Sequence, residues 1–302
     1  MTQTCVRTGR CSISLLLGRN IIAHREDLKR AAQALQTTDA LLITAGAGVG
    51  VDSGLPDFRG DTGFWKAYPP IAKLGISFYE MANPEWFHRN PKLAWAFYGH
   101  RLNLYRNTVP HDGFFGLLDI ARRKKGGYFV FTSNVDGQFQ KAGFDSDNIE
   151  ECHGSIHYFQ CSQPCGDDIW DASQISVVVD ETVFEAKDPL PSCTNCGLVA
   201  RPNVLMFGDW FWNPRRTEAQ GLRFSRWLQS VRGDNLRLTI VEIGAGRSIP
   251  TVRSTSEYVT RLHDATLIRI NPRDCEVPPG QLSVPMGAAE GIKSILESGE
   301  TT

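Results

Sequence analysis

At 302 residues, 41% of them apolar and 22% charged, the chain can build one large α/β domain with a smaller appendage, or two modest domains sharing a cleft. It is too apolar to be disordered. A formal charge of -1 without long runs of one sign gives no electrostatic reason to bind nucleic acid, and no apolar stretch spans a bilayer, so neither is an expected partner.

In chain order, residues 1–25 hold Arg7, Arg10, Arg19 and Arg25 before the first acid, Glu26. They read as an N-terminal tail, with an organelle transit peptide as the alternative. Leu28, Ala31, Ala32 and Leu35 fall at helical spacing, and Ala40–Ala45 is a buried-strand run that leads straight into glycines. Further strands are expected at Tyr128–Thr132, Leu236–Ile243 and Ala265–Ile270, each after a helix-competent stretch, with a last helix at Ala288–Leu296. That alternation predicts a doubly wound, Rossmann-like parallel sheet built from residues 26–62, 107–157 and 202–302. Two segments break the rhythm. Residues 63–106, dense in aromatics and with Pro84 and Pro91 near helix starts, read as a helical insertion. Residues 158–201 read as a metal module with a strand at Ile175–Val179.

Four places carry chemistry. Gly46-Ala47-Gly48 follows the first strand, where absent β-carbons let backbone N–H groups approach a pyrophosphate; Val51 stands where a strict dinucleotide fingerprint has its third glycine, so a plain tight turn stays open. Ser133-Asn134-Val135-Asp136 sits at a strand's carboxyl end, either a ligand loop or an Asx turn. His153 is a proton acceptor near neutrality, a metal ligand or a buried polar group. Cys161/Cys165 and Cys193/Cys196 have spacings suited to a structural zinc, with free or redox cysteines as the alternative. Metal ligation favours a reducing compartment, hence an intracellular and cytoplasmic protein, nucleus and mitochondrion remaining open.

Gly46-Ala47-Gly48 followed by Ser53-Gly54-Leu55-Pro56-Asp57-Phe58-Arg59-Gly60 closely resembles the first signature of the sirtuin family. Thr132–Asp136 is similar to its Thr-Gln-Asn-Ile-Asp motif, and His153-Gly154 shortly before four cysteines is a further mark. The resemblance covers roughly residues 26–297. It implies NAD as co-substrate, structural zinc, and NAD-dependent deacylation of an acyl-lysine protein or peptide, with release of nicotinamide and O-acyl-ADP-ribose. Protein ADP-ribosyl transfer or NAD hydrolysis at the same site is the alternative.

By the same resemblance Gly46, Ala47, Gly48, Asp57, Phe58, Arg59 and Ser133 face the cofactor. Asn134 and Asp136 contact ribose and nicotinamide, and His153 deprotonates a ribose hydroxyl. Gly244, Ala245 and Gly246 stand where the family has Gly-Thr-Ser. Asn271 lies at the adenosine ribose and Ala288 at the adenine. Arg201–Asp209 is similar to a strand whose backbone pairs with the substrate peptide. Gly50, Ala245 and Gly246 lack hydroxyls that the family carries, and Trp210-Phe211-Trp212 is either core packing or a reshaped acyl or peptide pocket.

Overall fold

The computed structural model describes residues 26–57 and 60–300. The expected tail, with Phe58 and Arg59, lies outside the described residues. Strands are β1 (Ala40–Ala45), β2 (Tyr128–Thr132), β3 (Ile149–Glu151), β4 (Gly154–Cys161), β5 (Ile169–Asp171), β6 (Val179–Asp180), β7 (Glu185–Ala186), β8 (Ala200–Val204), β9 (Leu238–Ile243), β10 (Thr266–Ile270) and β11 (Leu282–Val284). Six of them form one sheet in the order β11-β10-β9-β1-β2-β3, every pairing parallel.

Strand alternation explains why both faces are covered. Leu41 and Ile43 of β1 join one cluster with Ala31, Leu35, Leu117 and Ile292, under the helices 26–37, Asp112–Arg122 and Ala288–Glu300. Ala40 and Leu42 point the other way, to Phe224, Val252 and Val259 on the helices Arg215–Gly233 and Thr251–His263. The chain moves from β1 to β2 on one side, and β9 returns on the other. The strand order therefore reverses between β1 and β9, and a crevice opens at their carboxyl ends.

A second layer is built from the helices Gly60–Ala67, Pro69–Lys73, Phe78–Met81, Trp86–Arg89 and Pro91–Asn107 together with the three-stranded sheet β5-β4-β8. Asn90 starts the helix Pro91–Asn107 by accepting the Leu93 N–H at 3.1 Å, with Pro91 in its first turn. Phe64, Trp95 and Phe97 share one core with Phe159, Val177, Phe184 and Ala200, so the helical stretch and the cysteine segment bury each other.

The expected strand at Ile175–Val179 is not formed. Only Val179–Asp180 is β, paired with β7. The preceding backbone is held by side chains of the long helix instead: Arg106 donates to the carbonyls of Ala172 and Ile175, both at 2.6 Å, and Asn103 to that of Val177 at 2.9 Å. A β-carbon at Gly99 would lie 2.5 Å from Val177 Cγ1. The apolar run docks on a helix rather than pairing with a neighbour. Among the described residues no helix is long and apolar enough to cross a membrane.

Candidate active site

Glycines bring the loops after β1 and β9 together. A β-carbon on Gly48 would sit 2.7 Å from Gly244 Cα, one on Gly46 2.8 Å from Ala245 Cα, and one on Gly244 2.3 Å from Val49 N. Gly244 also has φ 62. The N–H groups of Gly46 and Gly48 donate to Ile243 and Gly244 carbonyls, each at 3.0 Å. These two glycines thus serve loop-to-loop contact, while Ala47 is the exposed member of the trio.

Asn134 ties in the third loop. Its side-chain amide donates to the Gly46 carbonyl at 3.1 Å, and its own N–H is received by Thr132 Oγ1 at 3.0 Å. Ser133 N–H donates to Ala45 O at 3.1 Å. Asn271, fully buried after β10, donates to Ala245 O at 2.9 Å and accepts the N–H groups of Arg273 and Asp274. Its amide is engaged in holding the Gly244–Gly246 turn. Asp57 lies beside Arg273, carboxylate to guanidinium 3.2 Å. Ala288 is buried at the start of the last helix, where Asp52 receives the Ala289 N–H at 2.8 Å.

Asp136 is buried. Burial pushes its carboxyl up to about 6, the Gln138 N–H bond at 2.9 Å opposes this, nearby Glu151 adds to the rise, and Arg101 lowers it. The His157 ring donates from Nε2 to the Asp136 carbonyl at 2.9 Å. His153 is half-buried; burial lowers its pKa below the ordinary imidazole value, and a hydrogen bond to the Ser133 backbone works the other way. The next residue, Gly154, has φ 78, and a β-carbon there would lie 2.1 Å from the Asn203 carbonyl oxygen. Only glycine lets β4 start so close to β8. Leu205 N–H then returns to the His153 carbonyl at 2.9 Å.

Two supports of this site gave no sequence signal. His111 accepts the Gly113 N–H at Nδ1 and bonds the Val49 carbonyl through Nε2 at 3.0 Å, so it caps a helix and props the glycine turn at once. Glu151, two residues before His153, is clamped by the first turns of Arg215–Gly233. Arg216 reaches its carboxylate at 2.5 Å, Thr217 its carbonyl at 3.1 Å, and Gln220 accepts its N–H at 3.1 Å. Both supports are tertiary pairings of ordinary polar residues.

The four cysteines form a separate cluster at the far end of β4, all Sγ atoms within 4.8 Å of one another. Cys161–Cys196 and Cys165–Cys193 are each 3.6 Å apart. That is far beyond a disulfide and close to the roughly 3.8 Å edge of a tetrahedron with zinc–sulfur bonds of about 2.3 Å. Gln163 and Asn195 direct N–H groups at Cys161 and Cys193 sulfur, each at 3.4 Å. The donor set fits zinc. Four thiolates leave no open position, so the metal is structural.

A family model described as the Sir2 family matches residues 46–220. The chain is 33% identical over 250 residues to a Pyrococcus abyssi protein named NAD-dependent protein deacylase, covering 82% of this chain and 88% of that protein. A Thermus thermophilus protein of the same name is 28% identical over 275 residues, 90% and 94% of the two chains. Among solved structures, a Sir2 homologue in complex with NAD superposes with a TM-score of 0.66 at 24% identity, over 90% of this chain and 93% of the other.

Proposed function

The chain belongs to the Sir2 family, and from that premise we propose that it is an NAD-dependent protein lysine deacylase whose products are nicotinamide, O-acyl-ADP-ribose and the freed lysine. The observation that carries this reading is the meeting of three loops, β2 with β1 through Asn134 and Gly46 and β1 with β9 through Gly48 and Gly244, with the His153 carbonyl accepting the Leu205 N–H. NAD bound there supplies the ribose carbon to which the acyl oxygen transfers, with nicotinamide leaving.

His153 acts as the base. With its pKa lowered by burial, the imidazole is neutral at pH 7 and accepts the proton of a ribose hydroxyl, so that this oxygen attacks the acyl carbon, the lysine amine leaves with a proton, and one water completes the O-acyl-ADP-ribose. Asn134, anchored on the Gly46 carbonyl, fixes the loop that presents Asp136 to the ribose and carboxamide end. Gly46, Ala47, Gly48, Gly244, Ala245 and Gly246 form the floor under the phosphates, Asp57 and Ser133 its rim, and Ala288 the adenine end. The acyl-lysine segment enters along β8. We assign the protein to a reducing intracellular compartment, where four thiols persist as metal ligands.

Incubation with NAD and lysine peptides carrying a range of acyl groups is expected to release nicotinamide with O-acyl-ADP-ribose, read by mass spectrometry. No product with any acyl chain rules the proposal out. The alternative acceptor chemistry draws on the missing hydroxyls. At Gly50 a β-carbon would stand 3.0 Å from Leu55 Cδ1, so a serine there would press on that side chain. Free ADP-ribose or ADP-ribosylated protein without acyl loss is the result that favours it.

A further inference from the structure

β4 pairs with β8 near both of its ends and leaves it in between. Ser155 lies opposite Asn203 and Phe159 opposite Pro202, so Ile156, His157 and Tyr158 stand where β8 has no residue to match them. Such a bulge frees backbone groups and re-aims side chains. All of these residues find partners elsewhere. Ile156 N–H donates to the Val135 carbonyl at 3.0 Å, and the His157 carbonyl accepts the Ala172 N–H at 2.9 Å. Tyr158 pairs with Asp171 of β5, its ring 4.0 Å from the Arg216 guanidinium. At Ile156 and His157 the strand has exchanged β8 for the loop that carries Asp136.

His157 makes the closer tie to that acid. Its Nε2 donates to the Asp136 carbonyl at 2.9 Å. A carbonyl only accepts, so Nε2 holds a proton in the neutral ring and in the cation alike, and the tether does not depend on charge. Gly137 follows with φ 72, and a β-carbon there would lie 2.8 Å from both Nε2 and Cδ2 of the same ring. Glycine is what lets the turn close on the imidazole. From the other side the buried Gln138 donates its N–H to Asp136 Oδ1 at 2.9 Å and its side-chain amide to the Tyr105 carbonyl at 3.3 Å. The Asp136 turn is thus clamped between β4 and the end of the helix Pro91–Asn107. His157 also borders a cavity of about 410 Å³ with Tyr105, Lys141 and Arg216, and of the candidate site residues only Asp136 reaches it.

We propose that His157 is a positioning residue for Asp136: it touches neither substrate, and it fixes the turn from which that carboxyl meets the ribose and carboxamide end of NAD. Its loss therefore weakens NAD and leaves the acyl peptide alone. The inference rests on the deacylase reading, which gives Asp136 its place at NAD.

The test measures the Kd of NAD and of an acetyl-lysine peptide separately by titration calorimetry. His157→Phe keeps a ring and removes the donor; it is expected to weaken NAD about tenfold, the scale of one lost hydrogen bond, and to leave the peptide Kd unchanged. His157→Gln restores a donor and should recover most of that loss. Gly137→Ala attacks the same contact from the other side and should reproduce the selective loss, which covers the case in which His157→Phe does not fold. In an Asp136→Ala background, His157→Phe is expected to change NAD affinity by less than about twofold, because the group it positions is gone. In turnover, KM should rise for NAD and not for the peptide. Unchanged NAD affinity in His157→Phe, an equal loss for the peptide, no recovery with Gln, or additive effects in the Asp136→Ala background each overturn the assignment. NAD binding without deacylation strikes the activity reading alone, since the calorimetric comparison still decides the role of His157; native protein that binds no NAD removes both.

Discussion

His153 shows how one residue's surroundings set its working range. Burial lowers its pKa more strongly than the bond to the Ser133 backbone raises it, so the folded value lies below the ordinary imidazole value of about 6.5. On the proposed reading the neutral form is the competent base, and it is lost as pH falls through that lowered value. The predicted profile of kcat/KM falls on the acid side only; an acid limb centred above the ordinary imidazole value contradicts it. Asp136, pushed up to about 6, titrates in the same region. Asp136→Asn should therefore leave a limb of single-proton steepness. His153→Ala should lose roughly 10²–10⁴-fold in turnover with an unchanged circular dichroism spectrum. The histidine was legible because a glycine and four cysteines follow it. His111 was not, since its value comes from Val49 and Gly113, and nothing in its local sequence points to the glycine turn.

Among elements, the short segment from β3 into β4 connects the parallel sheet to the His153 turn, and its rigidity is borrowed from a distant helix. Glu151 is 1% exposed and Arg216 17% by side chain, so this is a largely desolvated pair. Removing one partner leaves a buried charge, which costs about 3 kcal/mol. Arg216→Ala is expected to lower the unfolding free energy by that amount, read from a fall in the denaturant midpoint at unchanged m. Glu151→Leu with Arg216→Met should cost clearly less than the single change, because no charge is then stranded; a double variant as unstable as the single one contradicts this account. Periodicity exposed β1, β2, β9 and β10 because their neighbours are strands and both faces are buried. It failed at Ile175–Val179, where Arg106 and Asn103 satisfy the backbone and a helix takes the apolar side chains. An apolar run states that it is buried. It does not state against what.

At the scale of the whole molecule, the metal cluster and His153 lie at opposite ends of one strand. β4 starts at Gly154 and ends at Cys161, and β8, its antiparallel partner, starts at Ala200 close after Cys196. The two strands pair at both ends, Cys161 with Ala200 and Gly154 with Val204, across an irregularity between Ser155 and Phe159, and Leu205 N–H meets the His153 carbonyl just beyond. The core of this layer is also distinct from the two clusters on the parallel sheet: Trp95, Phe97, Phe159 and Val177 meet one another there. Metal removal should thus loosen the layer as a unit and spare the sheet. A chelator is expected to release one zinc per chain and abolish turnover. Hydrogen exchange should then show protection lost together in Pro91–Asn107, β4 and β8 but kept in β1, β2 and β9. Loss confined to the cysteine loops, with the long helix still protected, would mean that the helices and the metal module hold their shape separately. The shared core argues otherwise, since Gly99 admits Val177 and Trp95 Nε1 donates to the Ala200 carbonyl at 2.9 Å, so helix and β8 each complete the other's interior.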